Sequence, residues 1–255
     1  MSGFFQTTAP NATIYIGPRA GGAIRSALEN ATNCIDIISP YLTTEYLDFL
    51  LKRAREGITV NLVTTTECHP NPQQRQKIFR KLTEQTRHEV LGAKGKAMRY
   101  RLYAMLLLLV ATTTAYAQAN KLIPANIPGG YMLAAVCFLA ALLLFNEAGK
   151  IRLYTYSYKP RLNFMAYIPW APGRGSDCML VHAKVYVVDE GSVYSGSVNF
   201  SAAGFRFNCE VRTDIHDRPT GKLVAQEIRG MIENPWGQVM NPGQIGKSVH
   251  AEPRR

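Results

Sequence analysis

Residues 179–200 read "MLVHAKVYVVDEGSVYSGSVNF", and the reading of this stretch decides the fold. Val181, Ala183, Val185 and Val187 recur at every second position, which predicts an extended strand with that side against a core. His182 and Lys184 then share the other side. An imidazole acts as nucleophile or proton carrier near neutral pH, and an ammonium two positions on can clamp a phosphoryl oxygen. After Asp189 and a second short strand comes Gly196-Ser197-Val198-Asn199. The glycine permits close backbone approach, while Ser197 and Asn199 add neutral hydrogen-bonding groups. Glu210, 28 positions after His182, lies in "NCEVRT". A carboxylate there can hydrogen-bond the second imidazole nitrogen and fix its tautomer.

Outward from this stretch the texture is α/β. "TIYIG", "CIDIISPYL" and "ITVNLVTTT" read as strands, separated by the helical "AIRSALENA" and "TEYLDFLLKRAREG". Such alternation predicts a largely parallel or mixed sheet with helices packed on it. "HPNPQQ" is a turn, and a basic polar helix is expected to begin near Gln73. "KIRLYTYS", "LNFMAYIP", "SVYSGS" and "NCEVRTDI" continue the strand pattern, and "GKLVAQEIRGMIEN" is the last expected helix. The Gly/Pro-rich residues 241–255 are expected to be a flexible tail.

Two uncharged blocks break the pattern: "LYAMLLLLVATTTAYA" (102–117) and "GGYMLAAVCFLAALLLF" (129–145). Two adjacent blocks of this kind are hard to bury in so small a domain, and a span needs roughly 20 apolar residues. The short connection "QANKLIPANIPGG" forces an antiparallel helical hairpin. The expected organisation is 1–101 as the first part of an α/β domain, 102–148 as a transmembrane hairpin with spans about 102–118 and 129–146, and 149–240 as the second part. Arg87, Lys94, Lys96, Arg99 and Arg101 precede the first block and Lys150 and Arg152 follow the second, whereas the connection holds Lys121. By the positive-inside rule both flanks face the cytoplasm, as in an integral protein of the cell (inner) membrane.

A formal net charge of +11 favours an anionic partner: nucleic acid, lipid headgroups or a phosphorylated substrate. Five scattered cysteines with no CxxC pair argue against a disulfide framework. "ECHP" at 67–70 is a weak metal signal with no second ligand pair. The N-terminal residues have no basic start followed by an apolar run, so no signal peptide is expected.

His182-x-Lys184-x4-Asp189, followed after six residues by Gly196-Ser197-x-Asn199, resembles the HKD signature of the phospholipase D superfamily. Glu210 matches that family's usual acidic partner. The resemblance is firm over about 179–215, weaker over 13–66 and absent over 102–148. It implies a phospholipase D-like α/β fold: a mixed sheet with helices on both faces, here interrupted by a two-helix transmembrane hairpin. His182 would be the nucleophile, forming a phosphohistidine. Lys184 and Asn199 would bind the non-bridging oxygens, Ser197 would support them and Glu210 would orient His182. Asp189 is expected to stabilise the strand-end turn, with Gly196 structural. The resemblance implies no metal and no other cofactor.

The family builds each site from two such motifs, and this chain has one. His69, His88, His216 and His250 have no lysine two residues later. A symmetric homodimer sharing one cleft is therefore expected. The expected function is a membrane-anchored, metal-independent phosphodiesterase. A nuclease is the first reading, because single-motif members resemble small nonspecific endonucleases and phosphate contacts dominate such binding. The alternatives are a phospholipase D or phosphatidyltransferase of the cardiolipin synthase kind, and a non-catalytic membrane-bound scaffold. Residues 157–175 fit either substrate, since their aromatic and basic side chains suit bases or a membrane interface.

Overall fold

The computed structural model describes residues 5–9, 11–122, 129–170 and 178–253. Two strands open the chain, β1 (Phe5–Ala9) and β2 (Ala12–Pro18), paired antiparallel. The α/β alternation follows as α1 (Gly21–Glu29), β3 (Cys34–Ile38), α2 (Thr44–Arg55), β4 (Thr59–Thr65) and α3 (Pro72–Leu82). Asn71 caps α3 through its side chain, and Pro72 occupies the first turn, where a missing N–H costs nothing. Next come β5 (Thr83–Glu89), α4 (Ala93–Ala119), α5 (Gly129–Lys150) and β6 (Tyr154–Pro160), with β5 and β6 forming a separate two-stranded ribbon. The chain closes with β7 (Asn163–Tyr167), β8 (Val185–Val188), β9 (Ser192–Gly196), a π-helical turn (Ala203–Phe207), β10 (Cys209–Ile215), α6 (Arg218–Glu233), β11 (Val239–Met240) and α7 (Pro242–Val249).

The main sheet has the order β1-β2-β10-β9-β8-β3-β4-β7-β11. β3, β4 and β7 run parallel and the other pairs antiparallel, so the sheet is mixed. Period-2 alternation divides the strand residues between two cores. Ile35, Ile37, Leu62, Phe164 and Tyr186 pack with α1, α2, α3 and α7. Ile38, Val63, Met165 and Val187 pack with Ala225, Ile228 and Met231 of α6. Helices therefore cover both faces, and the fold is the mixed α/β architecture expected.

Two ties fix the sheet. Asp189, at φ +50° just past β8, accepts hydrogen bonds from the backbone N–H of Thr32 (2.8 Å), Asn33 (2.7 Å) and Cys34 (2.9 Å) and from the Thr32 hydroxyl (2.9 Å). This locks the end of β8 to the start of β3. On the α6 face, Asp36, Asn61 and Asn163 stand opposite one another on β3, β4 and β7. Asn61 donates to Asp36 (2.7 Å) and Asn163 donates to Asn61 (3.0 Å). Arg229 of α6 donates to both Asp36 oxygens at 2.9 Å and to Glu190 at 2.7 Å. Asp36 is wholly buried, so this guanidinium is what makes its charge tolerable there.

Two compact units divide the chain: 1–86 with 158–251, and 87–157 with 252–255. The second takes in the ribbon ends and the basic flank, beyond the boundaries expected at 101 and 149. Within it, α4 buries Ala93, Ala97, Ala104 and Ala111, while α5 buries Gly130, Ala134, Cys137, Ala141 and Ala148. A Cβ on Gly130 would come within 2.1 Å of the Gln118 side chain. Small residues thus form the seam between the two helices, and Leu106, Leu109, Leu139 and Leu143 are exposed outside it. A water-soluble helix pair puts its large apolar residues in the seam and polar ones outside; close packing through small residues with an apolar exterior suits lipid. Both helices are long and apolar enough to cross a membrane, and only 11% and 22% of their apolar windows are buried, unlike core helices. At about 1.5 Å per residue they measure roughly 40 and 33 Å, against a hydrocarbon layer of about 30 Å.

Three further expectations are corrected. The stretch expected to be a tail is not one over 241–253: Asn241 and Gln244 form a capping box for α7, and Ile245 and Val249 enter the core. β1, with its unpatterned "FQTTA", was not expected. β8 begins only at Val185, so His182 and Lys184 precede the regular strand. Residues 123–128 of the hairpin connection and 171–175 of the aromatic-basic stretch lie outside the described residues.

Two outcomes test the ties. Arg229→Ala leaves Asp36 buried and uncompensated, and should lower the unfolding free energy in detergent by about 3–5 kcal/mol. For Asp189, burial opposes ionisation, but the N–H donors of Cys34, Thr32 and Asn33 and the Thr32 hydroxyl outweigh it and hold the carboxyl below its usual range. Its stabilisation is complete above the unfolded value of about 3.9 and is lost as pH falls through the lower folded value. The acid limb of a stability–pH profile should therefore be shallower in Asp189→Asn than in the parent chain.

Candidate active site

The site forms where β8 begins, β9 ends and β10 begins. Lys184 extends the β8–β9 ladder by one residue, its carbonyl accepting from Gly196 N–H (3.3 Å). At Gly196 (φ +153°) a Cβ would stand 2.0 Å from the Val211 carbonyl, so only glycine lets β9 and β10 approach there. Ser197 then pairs with Val211 through its own N–H (3.0 Å) and accepts the Val211 N–H on its hydroxyl (3.0 Å).

Lys184 is buried and His182 exposed. The ammonium donates to the His182 carbonyl (2.8 Å) and lies 3.0 Å from Nδ1 and 3.3 Å from Nε2 of the imidazole. The pair thus converges although no regular strand holds it. Burial pushes the Lys184 ammonium below its ordinary pKa, and the nearby Glu210 carboxylate opposes that shift. An ammonium short of counter-charge is well suited to meet a phosphoryl oxygen.

Glu210 departs from its expected role. Its two oxygens are taken by the Ser197 hydroxyl and by the Asn208 side-chain amide (3.0 Å), and His182 is not among its partners. The sheet order supplies the reason. β9 lies between β10 and β8, so Ser197 at the end of β9 intercepts the carboxylate. Glu210 therefore reaches the His182–Lys184 pair through the field it exerts on Lys184. Asn208 was not foreseen, although it stands two residues before Glu210, the spacing that shares one side of an extended chain.

Asn199 sits on a loop supported from beneath. The Tyr186 hydroxyl donates to the Val198 carbonyl (2.7 Å), and Phe200 N–H donates to the Ser39 hydroxyl (3.0 Å). Tyr46, Tyr186, Phe200 and Phe205 form the aromatic floor. The Asn199 Oδ1 is buried and has no hydrogen-bond partner among the described residues. An amide oxygen accepts, so a phosphoryl oxygen would be met by the Asn199 side-chain N–H and not by this atom. Tyr41, Leu180, Phe207 and Val211, which flank these residues in the chain, are exposed.

The remaining histidines are bonded elsewhere: His69 to Asn71 N–H, His88 to Ser157, His216 to Ser192 and His250 to Thr83. In "ECHP", burial raises the Cys68 thiol to about 12, which makes it a poor metal ligand.

Residues 142–236, which hold His182, Lys184, Ser197, Asn199, Asn208 and Glu210, match the family described as cardiolipin synthase, PLD-like domain. The match takes in the whole HKD spacing, so this segment of the chain is similar to a phospholipase D-like domain. Among solved structures it is similar to Nuc, a phospholipase D family member from Salmonella typhimurium (13% identity, TM-score 0.44, 90% of this chain and 99% of that one). It is also similar to NucT from Helicobacter pylori (15%, 0.46, 89% and 98%) and to phosphatidylserine synthase of Haemophilus influenzae Rd KW20 (12%, 0.40, 95% and 46%). No curated protein sequence matches the chain.

Because burial disfavours the Lys184 charge, Lys184→Met should unfold at an equal or higher temperature than the parent chain. A variant that unfolds well below the parent would refute the reading of Lys184 as a charge held ready for substrate.

Proposed function

We propose that the chain is a membrane-anchored phosphodiesterase that works through a phosphohistidine in a site shared by two copies. The observation that carries this reading is the convergence of the buried Lys184 ammonium on the exposed His182 imidazole. The His182 imidazole attacks phosphorus and forms a P–N bond as the P–O bond to the leaving group breaks. The departing oxygen takes a proton from the imidazolium of His182 of the partner subunit. That imidazole then deprotonates water or an alcohol, which attacks phosphorus and releases His182. Lys184 and Asn199 hold the non-bridging oxygens, so the charge stabilisation comes from side chains and no metal is required. Glu210, clamped by Ser197 and Asn208, opposes the effect of burial on the Lys184 ammonium.

For the substrate, phospholipid is favoured over nucleic acid. The hairpin unit holds ten of the 29 Lys and Arg but three of the 18 Asp and Glu, which leaves a net charge of only +4 for the rest of the chain. Most of the excess charge that pointed to nucleic acid thus belongs to the hairpin and its flanks. The matched family description and the exposed apolar residues around the site favour the same choice. The nuclease reading keeps one support, the single motif per chain.

Purified protein should be given cardiolipin-containing vesicles, single-stranded DNA and RNA, each with EDTA, beside His182→Ala. The expected result is EDTA-resistant release of a headgroup or a transferred phosphatidyl group, abolished in His182→Ala, with a labelled phosphohistidine trapped in the parent chain. Cleavage of DNA or RNA alone would transfer the conclusion to the nuclease. Turnover that survives His182→Ala would overturn the mechanism, and a fully active monomer in detergent would overturn the shared site.

A further inference from the structure

Seven cations gather at the ribbon end of the hairpin unit, and four are already engaged. Arg87 lies 4.4 Å from the centre of the Tyr154 ring. Lys94 pairs with Glu89 (2.7 Å), Lys150 with Glu147 (2.6 Å) and Arg152 with Glu252 (3.5 Å). Lys96, Arg99 and Arg101 are exposed and have no carboxylate partner among the described residues. A signal that only set membrane orientation would need cations of the right number, with no regard to pairing or face.

The face is specific. At about 100° per residue, Lys96, Arg99, Tyr100 and Tyr103 fall within an arc of roughly 100° on α4. Arg101 projects to another side, and the alanine seam towards α5 lies beside this arc. The Lys96 ammonium sits 5.8 Å from the Tyr100 ring centre, and Tyr103 is exposed. Exposed apolar side chains, Leu102, Met105 and Leu106, follow at once. Cations one turn apart, phenol rings beside them and an apolar surface beyond reproduce in order the headgroup, interface and acyl zones of a lipid.

We propose that Lys96, Arg99, Tyr100 and Tyr103 dock the headgroup of one anionic phospholipid, whose chains lie along the exposed α4 surface. Arg99 offers two parallel N–H donors to a phosphate, and Lys96 adds a point charge. The continuous apolar surface commits the site to a lipid, since a free phosphate would gain nothing from it. The inference rests on the membrane reading of the hairpin, but not on turnover at His182.

The test uses the full chain in nanodiscs of phosphatidylcholine with a minor share of phosphatidylglycerol, counting retained anionic lipid per chain by native mass spectrometry. Lys96→Gln/Arg99→Gln should lose retention by about tenfold or more, given the usual contribution of a cation near an anionic surface. Arg87→Gln/Arg152→Gln, which removes engaged cations, should retain the lipid. Equal loss in both pairs, or no loss in the first, would overturn the proposal, as would displacement of the lipid by inorganic phosphate. If the first pair fails to enter discs, salt titration of the parent chain decides, with retention that ignores ionic strength refuting the site. A parent chain that stays out of phosphatidylcholine discs altogether would overturn the membrane reading, and the site with it.

Discussion

One pairing carries the rest of the structure: β3 with β8, joined by the Asp189 carboxylate. The residues it ties are 155 to 157 positions apart in the chain, with the whole hairpin between them. A loop of that length costs only modestly more closure entropy than a short one, so a few well-placed hydrogen bonds can hold it. Asp189 supplies four such bonds at once, and the left-handed backbone at its own position turns the chain into β9. From that turn follow the β8–β9–β10 order, the Gly196 contact and the position of Glu210. The site is thus downstream of a structural carboxylate that touches none of its reacting groups.

The same geometry explains why the motif is assembled as it is. His182 lies before the ladder, where its ring is exposed, and Lys184 pairs one residue ahead of the regular strand, where burial presses on its charge. Ser197 and Asn208 hold Glu210 between them, and the His182 imidazole stays exposed. The network of Asp36, Asn61, Asn163 and Arg229 lies mid-sheet on the α6 face, and it keeps the parallel strands in register behind the site.

Much of this could be read from local pattern. Strands with strict alternation and two long uncharged blocks identify themselves, because burial repeats at the period of the secondary structure. The HKD spacing was equally visible, as were the residues it names. What escaped depended on neighbours distant in sequence. β1 is an edge strand with one partner, so its residues carry little apolar pattern. α7 looked like a tail because Ile245 and Val249 are its only large apolar side chains, and they acquire meaning only from the core they enter. The partners of Glu210 depend on β9 lying between β10 and β8, an order that no single segment encodes. Asn208 is the exception: its place two residues before the acidic partner was available in the sequence itself.

The hairpin's place inside the domain has a consequence for how the chain is made. Synthesis delivers β2, β3 and β4 first, then two apolar helices, and only afterwards the strands that flank β3 and β4 in the finished sheet. Until β8 and β7 emerge, the outer edges of β3 and β4 offer unpaired N–H and C=O groups to any other chain. In the membrane-anchored form proposed above, insertion of the hairpin tethers that unfinished half to a bilayer during the wait, apart from the crowd of nascent chains in solution.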